Sequence, residues 1–282
     1  MSVVYNRHTH ISAEHKLFDL KLREVWQYRD LIWLFTKRSF LVSYKQTILG
    51  PLWLIINPLL TSLIYVVLFG NIAKLGTDGI PQMLFYLGGT ALWSYFSSCL
   101  TGNSTTFTGN AHLFGKVYFP RLVMPVSHVI GSVIRFGIQM IPVAILMVYY
   151  LITGTVHPHY ELWVLIPFLL LWLGLLGMGF GILISGMTTK YRDLSVLVSF
   201  GIQLLLYATP VVYPLTTVPE SLKMISLINP VTMPMEIFRY ILFGNGSICL
   251  WSVVLSLVVA VLIALLGIIL FNKVERIFID TV

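Results

Sequence analysis

Arg135 is the only charged residue in an apolar run of the sequence that extends from residue 126 to residue 151. A guanidinium inside a run of membrane-spanning length is costly unless it faces protein, water or an anion. Its planar fork of N–H donors matches the oxygens of phosphate and pyrophosphate groups. Two explanations remain open: Arg135 contacts a phosphate-bearing ligand, or it snorkels to the surface or pairs with a carbonyl group or Asp193.

A short mixed segment, residues 104–125, precedes this run and carries Lys116 and Arg121. Both cations favour the cytoplasmic side of a membrane. Each is an alternative phosphate contact or an ordinary positively charged anchor. Pro120 and Pro125 lack a backbone N–H and disfavour helical geometry just before them, so the sequence predicts two chain breaks here.

The sequence lacks the residues that several kinds of chemistry require. No Walker A motif occurs, because Lys116 is followed by Val117 and the preceding glycines have the wrong spacing. Every Asp and Glu is expected in a loop, a tail or a membrane end, which disfavours a proton-coupled carrier. The sequence also lacks the cluster of acidic residues near a lipid-facing loop that a membrane-embedded transferase would be expected to show. His157 and His159 have no obvious third ligand, so no metal site is predicted.

The composition indicates a polytopic membrane protein, since 57% of the 282 residues are hydrophobic and only 10% are charged. The net charge of +7 is explained by basic residues at membrane flanks, and no nucleic-acid partner is predicted. Six apolar runs approach the length of about 20 residues that crosses a bilayer. They lie at about residues 48–69, 83–100, 126–151, 162–187, 194–213 and 248–271.

The distribution of Lys and Arg predicts the topology. Residues 1–16 read as a flexible tail, and residues 17–45 as an amphipathic helix in the membrane interface. With both termini inside, the cytoplasmic segments hold fourteen of the eighteen Lys and Arg residues. The transmembrane domain then covers residues 46–272, and a second cytoplasmic tail covers residues 273–282.

Two further features exceed a plain bundle of six helices. Pro219, Pro230 and Pro234 divide the outer segment, residues 214–246, into pieces that form either an extracytoplasmic loop or two short helices dipping into the membrane. Gly177-x-x-x-Gly181 permits close helix approach, and packing within the chain is favoured over a dimer contact.

Four stretches in order resemble one family of transport proteins. The chain resembles the permease subunits of ABC-2 type exporters, in the branch that exports lipid-linked polysaccharides such as O antigen, capsule or teichoic acid. The stretches are residues 28–60 with YK, LGPLW and NP elements, 113–130 (LFGKVYFPRLVMPVSHVI), 191–214 (YRDLSVLVSFGIQLLLYATPVVYP) and 228–244 (INPVTMPMEIFRYILFG). One departure is SFLVS at residues 39–43, where more charge is expected.

The resemblance implies an all-α membrane protein that works as a homodimer in the bacterial inner membrane with two separate nucleotide-binding subunits. ATP and Mg would be bound by those partners, and no cofactor is expected on this chain. A short cytoplasmic gate helix is implied at residues 107–118, with re-entrant helices on the outer side. The implied contacts to the ATPases are Lys37, Arg38, Tyr191, Arg192 and Asp193, and the implied outer gate residues are Pro214, Pro219, Asn229, Pro230 and Arg239.

Aromatic residues suit the path of such a substrate. Rings contact the apolar faces of sugars and tolerate sliding, whereas fixed charges would hold the polymer. Aromatic belts also occur at the interfaces of most membrane proteins, so each ring has this second interpretation. The candidates are Trp93, Tyr95, Phe96, Phe107, Phe114, Tyr118 and Phe119 near the inner mouth, and Tyr207 and Tyr213 further out.

On this resemblance, Arg135, Lys116 or Arg121 would contact the pyrophosphate of the lipid-linked sugar. Asp193 has a second expected role as the cap of the helix that follows it. The leading hypothesis is an ATP-driven permease for lipid-linked polysaccharide that performs no covalent chemistry. The alternatives are export of a drug or small lipid, a membrane enzyme acting on polyprenyl-linked sugars, and a structural scaffold.

Overall fold

The computed structural model describes residues 22–45, 47–114, 119–188 and 193–281. These residues are almost entirely helical and contain no strands, so the prediction of an all-α protein is confirmed. The α-helices are α1 (Leu22–Gln27), α2 (Arg29–Tyr44), α3 (Trp53–Tyr65), α4 (Gln82–Ser104), α5 (Thr106–Phe114), α6 (Val123–Ile152), α7 (Ile166–Thr188), α8 (Leu194–Ala208), α9 (Glu220–Ile228), α10 (Thr232–Phe243) and α11 (Leu250–Thr281). A π-helical turn, Val66–Ile72, extends α3.

Each of the six predicted spans contains a helix, although the six-span topology stays a prediction. Among the described residues, four helical segments are long and apolar enough to cross a membrane: Gly50–Ile72, Val123–Ile152, Tyr160–Thr188 and Leu250–Leu270. The chain is therefore a multi-pass membrane protein. The helix in the fifth predicted span ends at Ala208, because Pro210 pushes Thr209 into an extended conformation.

The core of the molecule forms around α4, which is packed with buried apolar and aromatic side chains along most of its length. Close approach of α7 to α4 requires glycine at two positions. A Cβ atom on Gly177 would lie 2.7 Å from Cβ of Cys99, and one on Gly181 would lie 2.6 Å from Cβ of Asn103. The prediction that these glycines serve packing within the chain is confirmed.

Two of the predicted proline breaks do not occur. Pro125 lies in the first turn of α6, and Pro234 lies in the first turn of α10. First-turn N–H groups have no acceptor within a helix, so proline there removes no hydrogen bond. Pro219, in contrast, directly precedes α9, and Pro230 lies between α9 and α10. The outer segment thus forms two short helices.

The N-terminal helix lies across the start of α6. It is broken at Tyr28 into α1 and α2, whereas the sequence predicted one element over residues 17–45. Thr36 on α2 is buried, and its hydroxyl donates to the Ser127 carbonyl oxygen of α6 at 3.2 Å. Lys37 and Arg38 are exposed. This helix therefore connects an exposed basic face to the helix that carries Arg135.

A short helix, α5, follows α4 in the segment where a gate helix was expected. Two hydrogen bonds link this region to the end of α7. The Phe107 N–H donates to the Ser185 hydroxyl, and the Thr188 hydroxyl donates to the Ser104 carbonyl oxygen, each at 3.2 Å. The described part of the segment, up to Phe114, is thus helical and is hydrogen-bonded to α7.

Candidate functional site

A cavity of about 510 Å³ contains Arg135 and lies among α3, α4, α6, α8 and the end of α2. We call it the Arg135 cavity. Among the described residues, its lining combines hydroxyl, amide and aromatic groups with one cation and includes no Asp or Glu. The lining residues are Tyr44, Trp53, Leu54, Asn57, Pro58, Thr61, Tyr65, Thr90, Trp93, Ser94, Tyr95, Ser97, Ser98, Ser132, Arg135, Phe136, Gln139 and Leu206.

Arg135 lies well inside α6, which begins at Val123. At 1.5 Å of rise per residue, its Cα is about 18 Å along the helix axis from that start. The side chain is half-buried, and within the described residues its guanidinium makes no hydrogen bond or ion pair. Arg135 and Asp193 form no ion pair within the described part of the chain, and a pair between two copies of the chain stays a prediction. Arg135 is therefore a cation without a counter-charge in a cavity at membrane depth.

Amide and hydroxyl side chains from three helices surround this cation. Gln139 lies one turn after Arg135 on the same face of α6 and is buried. Asn57 on α3 and Ser94 and Ser98 on α4 are further polar residues of the lining. These groups donate hydrogen bonds to oxygen atoms. The cavity can therefore hold an anion by charge and by neutral donors together.

The end of α2 forms part of the cavity wall through Tyr44. Burial raises the pKa of the Tyr44 phenol, and the positive charge of Arg135 partly opposes this rise. The phenol is consequently neutral near pH 7 and can donate a hydrogen bond. Thr36 on the same helix is hydrogen-bonded to α6. A displacement of α2 would therefore move the part of the cavity wall formed by Tyr44 and also disturb the contact between α2 and α6.

The predicted aromatic residues of the inner mouth have different surroundings. Trp93 and Tyr95 line the Arg135 cavity, but the Tyr95 hydroxyl is committed to the Leu170 carbonyl oxygen of α7 at 2.8 Å. Phe96 and Phe107 are each 0% exposed in packed cores, and Phe119 is also buried. The side chains of Phe96, Phe107 and Phe119 therefore do not line this cavity. They stabilise contacts between helices instead.

Trp53 and Tyr65 on α3 are cavity residues that sequence reasoning missed. They lie in the first predicted span, within the first of the four family-like stretches and just beyond its end. Aromatic residues in that position are also typical of an interfacial belt. Their rings reach the cavity only because α3 packs against α4. In that helix contact the Ser62 and Thr90 hydroxyls lie 3.2 Å apart.

A second cavity, of about 410 Å³, lies between the end of α8 and α9. It brings together Tyr207, Tyr213 and Pro219, three residues predicted on the outer path and outer gate. The Tyr213 hydroxyl donates to the Tyr207 carbonyl oxygen at 2.9 Å. Apolar side chains of α9, including Leu222 and Ile225, form the rest of the wall. Its lining is mainly apolar and aromatic.

The other predicted outer gate residues connect the end of α8 to α9 and α10. The Asn229 amide donates to the Thr209 hydroxyl at 2.9 Å, and Pro214 is buried beside this junction. Arg239 is buried and pairs with Glu236 on the same helix. Glu236 lies on α10 within the segment of residues 214–246, and its negative charge is matched by Arg239 one turn away.

The cytoplasmic candidates are only partly described. Asp193 directly precedes α8 and is exposed, but its carboxylate makes no capping hydrogen bond, so the predicted cap is not formed. Arg121 is buried beside the start of α6. Lys116, Tyr118, Tyr191 and Arg192 lie outside the described residues, as does the side chain of Phe114.

Comparison with known proteins gives one family and consistent relatives. The family model described as "ABC-2 type transporter" matches residues 30–243. Two proteins of Klebsiella pneumoniae named "O-antigen export system permease protein RfbA" are 29% and 31% identical over 87% of this chain and 92% of their own lengths. A Myxococcus xanthus protein of the same name is 29% identical over 79% of this chain and 84% of its own length.

Proposed function

The chain belongs to the ABC-2 type transporter family, and we propose that it is the permease subunit of an ATP-driven exporter of lipid-linked polysaccharide. The observation that carries this proposal is the similarity to three O-antigen export permeases, which extends over most of both chains. The substrate class is therefore O-antigen-like. The proposed location is the inner membrane of a bacterium.

The proposed assembly contains two copies of this chain and two nucleotide-binding subunits. The family implies an ATPase partner, and this sequence has no Walker A motif of its own. ATP and Mg are accordingly assigned to the partner subunits. The exposed Lys37 and Arg38 on α2 and the exposed Asp193 before α8 are the described residues proposed to contact them.

The proposed topology has six spans with both termini in the cytoplasm, as the distribution of Lys and Arg favours. In this arrangement α9 and α10 are re-entrant helices at the outer mouth, where the protein itself satisfies their backbone groups. Exposed apolar side chains on α3 and α8, such as Leu63 and Leu204, meet lipid or the second copy. This exposed apolar surface thus provides both the contact with lipid and the contact between the two copies of the homodimer.

The proposed path uses broad ring contacts in place of tight binding. Trp93 and the cavity residue Trp53 offer rings at the Arg135 cavity, and Tyr207 and Tyr213 offer them at the second cavity. ATP-driven closure of the partner subunits would displace α2 and the turn before α8. Because α2 ends at the Arg135 cavity, this displacement would change the shape of that cavity.

Reconstitution in proteoliposomes tests this function. The chain is incorporated with its candidate ATPase, and ATP-dependent movement of lipid-linked polysaccharide is measured. We expect movement only with both chains and ATP, and none with an ATPase variant that cannot hydrolyse ATP. If the polymer does not move while a small amphiphile does, the substrate assignment is wrong and the chain exports small molecules. Covalent turnover of the lipid-linked sugar by the purified chain would instead support the enzyme alternative.

A further inference from the structure

We propose that the Arg135 cavity binds the phosphate headgroup of an anionic lipid, and that this lipid is the lipid-linked substrate. The identity of the lipid rests on the proposed function, whereas the phosphate chemistry rests on the cavity itself. Arg135 would contact the phosphate oxygens directly. Gln139 and the Tyr44 hydroxyl would donate further hydrogen bonds to the same group.

The charge balance of the cavity calls for an anion. Of the described residues that line the cavity, Arg135 is the one charged group and none is acidic. An unpaired charge at membrane depth is strongly destabilised, because the low dielectric removes its hydration and supplies no compensation. A phosphate group supplies two to four oxygen acceptors that match a guanidinium fork. Binding of a phosphate therefore offsets the cost of placing the Arg135 charge in this cavity.

The neutral donors around Arg135 favour phosphate over a simple inorganic anion. Gln139 stands one turn along α6 from the arginine, while Asn57 approaches from α3 and Ser98 from α4. Donors on three helices surround a group with several oxygens better than a spherical ion. The volume of about 510 Å³ lies in the range of cavities that hold small organic ligands. A diphosphate with its first sugar is an entity of that class.

The position of the opening suits a lipid whose tail stays in the bilayer. Trp53 and Asn57 on α3 line the cavity and are also exposed at the surface of the protein. Further along α3, Leu60, Leu63 and Ile64 are each more than half exposed. A polar recess beside an exposed apolar helix face admits a headgroup while its acyl or prenyl chain remains on that face. A soluble anion gains nothing from this arrangement.

An equilibrium binding experiment tests the site without ATP and without the ATPase. The purified chain is placed in nanodiscs of neutral phosphatidylcholine, and a radiolabelled polyprenyl diphosphate bearing one sugar is the probe. Substitution Arg135→Gln should weaken binding about 10- to 100-fold, the range expected for loss of a charged hydrogen-bonding partner. Arg135→Lys should retain part of the affinity, and Gln139→Leu should weaken it by a smaller factor.

Matched controls separate binding from folding. Arg29→Gln removes an exposed arginine from α2 and should leave the affinity unchanged. Thermal unfolding of each variant checks that it is folded, and Arg135→Lys supplies a second variant if Arg135→Gln unfolds. The same sugar on an uncharged polyprenol should bind equally weakly to wild type and Arg135→Gln. Equal affinity of both proteins for the diphosphate probe would overturn the proposal.

Competition identifies the source of the phosphate. Phosphatidylglycerol should displace the probe only at much higher concentration if the cavity is built for the lipid-linked substrate. Displacement at equal concentration, with the same dependence on Arg135, would overturn the substrate assignment and make this a site for ordinary anionic lipid. Binding in a protein that fails to export polysaccharide would overturn the proposed function and leave the phosphate site in place.

Discussion

The carboxylate of Glu236 and the guanidinium of Arg239 lie 2.9 Å apart on α10, and their side chains are only 1% and 2% exposed. Arg239 also donates to the Val211 carbonyl oxygen at 2.9 Å and stands 3.9 Å from the centre of the Phe85 ring. The other carboxylate oxygen accepts the Ser247 N–H at 2.9 Å. This ion pair therefore joins α10 to α4 and to the segments that follow α8 and α10.

Removing one member of this pair should destabilise the protein strongly. Glu236→Gln leaves the Arg239 charge buried and unmatched, for which a loss of about 3–5 kcal/mol is typical. The expected result is a large fall of the thermal unfolding temperature in detergent. The double variant Glu236→Leu with Arg239→Met should recover part of that loss, because it removes both buried charges together.

The control for this prediction is the exposed pair of Lys223 and Glu220, which has the same i,i+3 spacing and a distance of 3.0 Å. Solvent screens that pair, so Lys223→Met should change the unfolding temperature little. Equal effects of Glu236→Gln and Lys223→Met would show that the buried pair is not a major source of stability.

A second prediction concerns the contact between α7 and α4. Gly181→Ala would place a methyl group 2.6 Å from both Asn103 Cβ and the Leu100 carbonyl oxygen. The helices must separate to admit it, and overpacking of this kind typically costs about 1–3 kcal/mol. Gly137→Ala on α6 is the control, since no atom lies within 4 Å of its added methyl group. The thermal unfolding temperature should fall for Gly181→Ala alone. A fall of this temperature in both variants would assign the effect to backbone flexibility.

A third prediction distinguishes core aromatic residues from path residues. Phe96→Ala removes a ring that is 0% exposed, and truncations of this kind cost about 3–5 kcal/mol. Tyr207→Ala removes a ring that is 56% exposed and should leave stability nearly unchanged. If Tyr207 lies on the path, its variant should instead slow polysaccharide transport per folded protein. Normal stability of Phe96→Ala with impaired transport would restore Phe96 to the path.

Sequence patterns were sufficient for the helices but not for the cavity. Apolar runs predicted a helix in each span, and proline positions predicted the start of α9. The two prolines at Pro125 and Pro234 were misinterpreted, because a proline signals a break or a first turn and only the neighbouring helix decides which. The opposite charges of Glu236 and Arg239 at i,i+3 were a usable sign of a pair.

The Arg135 cavity could be predicted only in part. The cost of a charge in an apolar run singled out Arg135, but Asn57, Tyr44 and Gln139 are ordinary polar residues in their own segments. They become a site because α2, α3 and α6 converge, and that convergence depends on contacts between residues far apart in the chain. Trp93 and Phe96, three positions apart on α4, are both buried, and only Trp93 lines the cavity.

The last prediction concerns the exposed face of α2. Lys37 and Arg38 are exposed, while the preceding Thr36 faces α6 and is buried. The double variant Lys37→Glu with Arg38→Glu should therefore leave folding and lipid binding at the Arg135 cavity unchanged. It should weaken association with the ATPase, because two negative charges replace the two cations that are proposed to contact the ATPase. Pull-down of the ATPase and ATP-dependent transport are the two measurements, and both should fall together.

The control for the α2 variant reverses a charge on the opposite side of the predicted topology. Lys223→Glu places an added negative charge on α9 and should not change ATPase association. Weaker pull-down by both variants would point to a general effect of net charge. Unchanged pull-down by the α2 variant would exclude Lys37 and Arg38 as contacts and would leave the turn before α8 as the site where the ATPase binds. Lost transport with normal pull-down would mean that the basic face transmits the movement of the ATPase without contributing to its affinity.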